Sequence, residues 1–450
     1  MLKKTRRLLT AAALLFVAVR CWPQPTTAPE VNPPVFEKPL SLLDAVNIAI
    51  RQNATILKAQ QDIEAAKGIS IQTRAVVLPK LRTVGNYEER DPNSIDRTIE
   101  QFVPVNQTEH LWSSNIRLVQ SIYEGGRLTA AWRTARLTRE QALLNYQTML
   151  RQVLLDVRVA YADVLGSAEQ ITVQQASVQL LERQLNDARN RFNQGMEPPF
   201  SVLRAEVEAA NARPRLIRAR NGHRLAKQRL LHLLGYDVPK NFSEDLPLQL
   251  SDALKAEPLH PELSNAISRA LTNRSELASL EKSTQIHEAA IKTAKSGYKP
   301  GVEIFGGYGF RNSEYDRDLL RDISGWTAGV QLSWSPFDGL LTQGKIQEAK
   351  ARLAKSRIEL TDARRQIELD VRTAYSNFVE AQELLESQRK VIDQADDALR
   401  MAQARYQTGT ATQLDLLSAQ TALTEARSTQ VQALRDYMVA VAQLDHAMGD

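Results

Sequence analysis

Related residues recur through this chain at a fixed distance. Trp112 is matched by Trp326, Tyr161 by Tyr375, Gly195 by Gly409 and Gly235 by Gly449, each 214 positions on. The run Arg191-Phe192-Asn193-Gln194-Gly195 falls on Arg405-Tyr406-Gln407-Thr408-Gly409 at the same offset. Upstream the offset is 221, pairing Ala45 with Ala266, Ala49 with Ala270 and Pro79 with Pro300. The change of offset between Pro79 and Trp112 marks a loop of variable length. A duplication this regular specifies one quasi-symmetric structure rather than two unrelated domains. The two repeats occupy 41–235 and 262–450, and a proline-rich, polar stretch at 236–261 links them outside the helices.

The amino terminus stands apart from the repeats. Lys3, Lys4, Arg6, Arg7 and Arg20 precede any acidic residue, and an apolar run from Leu8 to Val19 follows the first four. That run is too short to span a bilayer but has the length of a secretory h-region, so 1–21 is expected to be a signal peptide. Without those five cations the 57 basic residues fall to the number of acidic ones, 52. The net charge of +5 is therefore no footprint of nucleic-acid binding. Cys21, the only cysteine, sits where a lipoprotein is acylated, although Arg20 stands where a small residue is wanted. Residues 22–40 hold six of the 18 prolines and show no helical or strand period, which predicts an extended tether.

Within each repeat the pattern reads two helices, two strands, one very long helix, a turn and a further helix. The first repeat predicts helices near 41–51 and 54–77, a long helix over 127–192 and a return helix over 200–234. The second places its long helix at 341–406 and its return helix at 414–448. At ~1.5 Å per residue each long helix measures on the order of 100 Å. Val178, Leu181, Leu185, Ala188 and Phe192 alternate steps of three and four, and Ile392, Ala395, Leu399, Ala402 and Tyr406 repeat the spacing. Such a seam belongs to helices paired as in a coiled coil. Gly195 and Gly409 suit the left-handed position that ends a helix. The helices at 54–77 and 200–234 together match one long helix, so they are expected to meet end to end at mid-height. Pro214 interrupts the second of them, with no equivalent at Ser428, so a local kink near that junction is expected.

The strands carry the functional signal. Segments near 81–90, 112–122, 302–312 and 326–335 alternate apolar and polar residues with aromatics near their ends. One set comprises Leu81, Tyr87, Trp112, Ile116, Leu118, Val302, Ile304, Tyr308, Phe310, Trp326, Val330, Leu332 and Trp334. Ten-residue strands of this kind face lipid with the apolar set and a lumen with the polar one. A soluble sheet packed on one face shows the same alternation, and a secreted periplasmic coiled-coil scaffold without channel activity is the alternative reading. Four strands do not close a barrel, and open edges are not tolerated in lipid, so copies must associate. Two give eight strands and three give twelve.

These features resemble the TolC-type outer-membrane efflux channel family over nearly the whole chain. The likeness is carried by Leu78-Pro79-Lys80 and Tyr298-Lys299-Pro300 before the first strand of each repeat. It extends through Gln120–Arg127 and Ser333–Leu340 between strand and long helix, and through the two Arg-aromatic-x-x-Gly hairpins. The resemblance implies a mainly α fold with a small β part, in which antiparallel coiled-coil helices form a periplasmic tunnel. It further implies a homotrimer with one twelve-stranded barrel in the outer membrane, a periplasmic adaptor protein and an inner-membrane pump. By the same resemblance, pore-narrowing acids follow the second hairpin, at Asp415 and the position of Ser418. Asp415 equally suits a helix N-terminus, where the helix dipole favours a carboxylate. Tyr406 matches a family residue that locks the closed tip, whereas Ser201 and Ala411 replace the acid and base expected with it. Gly195, Met196, Gly409 and Thr410 are the expected adaptor-facing tips, the first stiffened by Pro198-Pro199.

No catalytic constellation accompanies this pattern. The histidines at 110, 223, 232, 260, 287 and 446 lack metal-ligand spacing, and neither a P-loop nor a Gly-x-Ser-x-Gly elbow occurs. No cofactor is expected, and energy for transport is assigned to the partner pump.

Overall fold

The computed structural model describes residues 38–91, 109–236, 246–312 and 322–450. The expected signal peptide, Cys21 and most of the tether lie outside these residues. The first repeat comprises α1 (Leu42–Gln52), α2 (Ala54–Arg74), β1 (Lys80–Glu89), β2 (His110–Glu124), α3 (Arg127–Asn193) and α4 (Pro199–Leu234). The second comprises α5 (Leu263–Asn273), α6 (Ser275–Lys295), β3 (Gly301–Asn312), β4 (Asp322–Ser333), α7 (Leu341–Gln407) and α8 (Gln413–Met448). Both long helices contain 67 residues, roughly 100 Å at 1.5 Å per residue.

Two cores at mid-height repeat one another. Ala45, Ala49, Ile56, Val153, Val157, Val164, Leu230 and Leu234 are buried in the first. Their counterparts Ala266, Ala270, Leu277, Ile367, Val371, Phe378, Leu444 and Met448 are buried in the second. The expected end-to-end meeting of short helices occurs here. Asn53 separates α1 from α2, its Oδ1 accepting the Thr55 and Ile56 amides while its Nδ2 donates to Leu233 O at the end of α4. Gly235, at φ 71°, closes α4 so near this junction that a Cβ would lie 2.3 Å from Gln52 O.

α3 joins the repeats, packing along α2 and α4 of its own half and along α6 and α8 of the other. Arg158 pairs with Asp445 at 2.9 Å, and Arg435 pairs with Asp163 at 2.6 Å. Towards the strands, Lys282 reaches Glu140 at 2.7 Å and the Ser279 hydroxyl donates to Asn145 Oδ1 at 2.6 Å.

Pro214 does not interrupt α4, which continues through it. One missing amide donor is outweighed where the flanking turns are anchored: Ala209 and Ala212 are buried, and Arg213 pairs with Glu182 of α3 at 3.0 Å. The coiled-coil seam is uneven. Val178, Ala188 and Leu399 are buried, while Phe192 is exposed at the hairpin end. The helix expected to reach residue 77 ends at Arg74, and β4 begins four residues earlier than expected and stops before Trp334.

Strand and long helix meet through a left-handed turn in each repeat: Gly125-Gly126 in one, Gly339-Leu340 in the other. Leu340, at φ 70°, is the only described non-glycine residue with positive φ, and its side chain is exposed. A left-handed L-residue costs about 1–2 kcal/mol, whereas glycine's extra unfolded-state freedom costs about 0.5–1 kcal/mol. Leu340→Gly is therefore expected to stabilise the chain by about 0.5–1 kcal/mol, seen as a higher denaturation midpoint. A lower midpoint would show that the leucine side chain holds the turn.

Candidate functional site

The four strands form one antiparallel sheet in the order β1-β2-β3-β4, leaving β1 and β4 as edges. Register decides which side chains share a face. Tyr87 pairs with Trp112, Thr83 with Ile116 and Leu81 with Leu118. Ile116 pairs with Tyr308 and Ser114 with Phe310. Tyr308 pairs with Trp326, Ile304 with Val330 and Val302 with Leu332. Direct partners point the same way, so the apolar residues expected to meet lipid form one face across all four strands. Trp334 continues that face one residue beyond β4, its indole N–H donating to Tyr298 O at 3.3 Å. Trp326, Val330 and Leu332 are 76%, 69% and 67% exposed. A bare apolar surface of this extent marks contact with a membrane or another protein.

The opposite face carries Lys80, Arg82, Asn86, Asn115, Arg117, Glu303, Thr327 and Gln331, with Phe305 among them. A bulge between Ser121 and Tyr123 shifts the register near the base of β2. It brings Tyr123 opposite Val302, onto the apolar face.

At the far end of the helices the two hairpins share one backbone solution. Gly195 and Gly409 have φ 75° and 73°. In the first hairpin the Met196 amide donates to Arg191 O and the Gly195 amide to Phe192 O, both at 2.9 Å. Thr410 to Arg405 and Gly409 to Tyr406 repeat these bonds at 2.9 and 3.1 Å. This Schellman pairing satisfies the last carbonyls of each long helix and leaves Gly195, Met196, Gly409 and Thr410 exposed at the tips.

The return helices start differently. α4 begins at Pro198-Pro199 without a side-chain cap, whereas Thr412 caps α8 in a reciprocal box with Asp415. The Thr412 amide donates to Asp415 Oδ2 at 2.9 Å, and the Thr412 hydroxyl receives the Asp415 amide at 3.3 Å. Those bonds to Thr412, backbone first and hydroxyl second, hold the Asp415 carboxyl below its ordinary range. Asp415 is exposed, as is Ser418 one turn further along.

Tyr406 and Ser201 both join the hairpins, by different atoms. The Tyr406 hydroxyl donates to Glu197 Oε1, while Gln413 Nε2 donates to the main-chain oxygen of Ser201 at 3.0 Å. The Arg191 guanidinium lies over the Tyr406 ring, 4.7 Å from its centroid. Burial, then the Glu197 carboxylate, pushes the Tyr406 phenol up to about 12, so it remains a donor at neutral pH. The second Glu197 oxygen is buried and has no hydrogen-bond partner among the described residues. Thus an acid does meet Tyr406, four residues before the Ser201 position at which it is missing. The sequence does not single out Glu197: the repeat aligns it with Ala411, and its partner is brought near only by the folded hairpins.

A family profile described as "Outer membrane efflux protein" matches residues 45–236 and 266–450. Outer membrane protein TolC of Escherichia coli (strain K12) is 23% identical over 433 residues, covering 91% of this chain and 82% of its own. Alkaline protease secretion protein AprF of Pseudomonas aeruginosa is 24% identical over 409 residues, covering 90% and 83%. Among solved structures, the outer membrane protein VceC of Vibrio cholerae superposes with a TM-score of 0.77 at 17% identity, covering 91% of this chain and 96% of that one.

Proposed function

This chain belongs to the outer membrane efflux protein family and is an outer-membrane export duct without enzymatic chemistry, and from that premise we propose how it is assembled and gated. Three copies close one barrel in the outer membrane, and their helices form a tunnel through the periplasm. The observation that carries this reading is a sheet that gathers the exposed apolar residues of all four strands on one face, joined directly to helices of 67 residues that end in paired hairpins. The edges at β1 and β4 must pair with other copies, because unsatisfied backbone groups are not tolerated in hydrocarbon. Two copies would make eight strands, whose interior side chains fill. Three copies of the four-stranded sheet make twelve and leave a lumen. Sedimentation of the detergent-extracted protein as a three-chain particle tests this assembly; a single-chain or two-chain particle contradicts it.

The periplasmic tips are the gate in this reading. Asp415 and Ser418 of the three copies ring the narrow end, and the Tyr406–Glu197 and Gln413–Ser201 links hold each pair of hairpins together. A periplasmic adaptor protein engages Gly195, Met196, Gly409 and Thr410, and an inner-membrane pump supplies cargo and energy. Residues 1–21 direct export, 22–40 tether the mature chain, and 236–261 join the repeats.

Asp415→Asn keeps a capping oxygen but removes the charge, so the preference for cations over anions is expected to fall several-fold in bilayer recordings. The wild-type carboxyl is held below its ordinary range, so the stabilisation of its ionised form is present above the unfolded value of 3.8 and lost only as pH falls through the lower folded one. Wild-type cation preference should therefore persist at about pH 4.5. Unchanged selectivity in the variant would remove Asp415 from the constriction.

A further inference from the structure

Arg82 and Arg117 are direct partners across β1 and β2, on the face opposite the apolar one. Like charges directly opposed in a sheet destabilise it unless something lies between them. Lys80 adds a third cation two residues from Arg82 on the same face. Among the described residues, none of these three has a carboxylate partner. The carboxylates on that face are otherwise engaged: Glu88 with Arg90 at 3.0 Å, Glu303 with the Ser121 hydroxyl at 3.2 Å, and Glu124 with Arg127.

Arg117 is held in position rather than free to swing away. Its guanidinium lies 3.9 Å from the centroid of the Phe305 ring. That ring in turn lies across Gly329, where a Cβ would sit 2.9 Å from Phe305 Cζ. Beside Arg117, Gly307 packs so closely that a Cβ would be 2.6 Å from Ile116 O. The glycines thus let an aromatic ring lie flat on the sheet with a guanidinium stacked on it. Among the described residues, Arg117 Nε is buried and lacks a hydrogen-bond acceptor. With Nε covered, the stacked guanidinium still offers its two terminal nitrogens to an oxyanion, gripped by parallel hydrogen bonds.

We propose that Arg82 and Arg117 form an oxyanion site on the barrel lumen, repeated in each copy as a basic belt that takes sulfate-, phosphate- or carboxylate-type groups. This inference rests on the barrel reading above, which turns this face inward. The belt opposes the acidic ring assigned to the tips, so the duct presents different charge selectivity at its two ends. An anion gripped by the terminal nitrogens of both arginines relieves their repulsion.

Thermal unfolding of the purified full-length protein in detergent tests the site without depending on the gate. At equal ionic strength, replacing chloride with sulfate is expected to raise the wild-type midpoint more than that of Arg82→Gln, which leaves the Arg117 stack in place. Sulfate added on the barrel side of a bilayer is expected to reduce current at several-fold lower concentration in wild type than in Arg82→Gln. Recording both also in a Glu197→Ala background keeps the tips from limiting the current. Benzenesulfonate beside sulfate separates sources. Tighter binding of the organic anion points to anionic cargo stacking near Phe305, and tighter binding of sulfate points to inorganic ions. Equal responses of wild type and Arg82→Gln in both assays overturn the site while leaving the duct intact. A protein that neither trimerises nor conducts overturns the duct and the belt together.

Discussion

Arginine in place of Val330 is expected to keep the protein out of the outer membrane. Val330 lies midway between Trp326 and Trp334 on the apolar face, opposite Ile304, and its side chain is 69% exposed. A charged side chain on the lipid face near the bilayer midplane costs about 2–4 kcal/mol, and in a three-copy barrel the cost recurs three times, on the order of 6–12 kcal/mol. That is comparable with the whole stability of a typical domain. Gln331→Arg places the same charge on the neighbouring residue of the opposite face and is expected to insert normally. Outer-membrane fractionation of the two variants measures the difference. Equal insertion would mean that this face does not meet lipid.

The second large effect lies at the tips. Tyr406→Phe keeps the ring beneath Arg191 but removes the hydroxyl, leaving Glu197 with neither oxygen bonded among the described residues. An unsatisfied buried acceptor costs about 1–3 kcal/mol, more when charged. Since 1.4 kcal/mol is about a tenfold change in an equilibrium constant, three released tips are expected to raise single-channel conductance several-fold. Glu197→Ala removes the acceptor of the Tyr406 hydroxyl and is expected to open the duct similarly. Cells carrying either variant should become sensitive to large antibiotics such as vancomycin. Conductance unchanged in both variants would move the gate away from this link.

Much of this was legible in the chain because the repeat constrains it twice. The bounds of α3 and α7 follow from one pattern seen at two places, and the mid-height junction follows from matching helix lengths. The faces of the sheet were equally legible, because side chains on a strand alternate with a period of two. Register was not. Opposition of Arg82 to Arg117, and the stacking of Arg117 on Phe305, depend on how neighbouring strands slide, which periodicity within one strand does not encode. The bulge at Ser121–Tyr123 was hidden for the same reason. That α4 runs on through Pro214 was not legible, because packing against α3 overrides local propensity. At the tips, the family resemblance supplies the Ser201 position for an acid. The acid that meets Tyr406 comes from the turn itself, where Glu197 faces a partner that only the folded hairpins bring near. Asp415 suited both a pore ring and a helix cap from its position alone; the cap is formed through one carboxylate oxygen, which leaves the charge in place for the proposed ring.

The most direct test of the duct is planar-bilayer recording of the detergent-purified full-length protein, wild type beside the Glu197→Ala variant. The expected result is small, discrete wild-type currents that become several-fold larger in the variant. Protein that stays soluble without detergent and never conducts, in either form, would contradict a membrane barrel and point to a periplasmic scaffold.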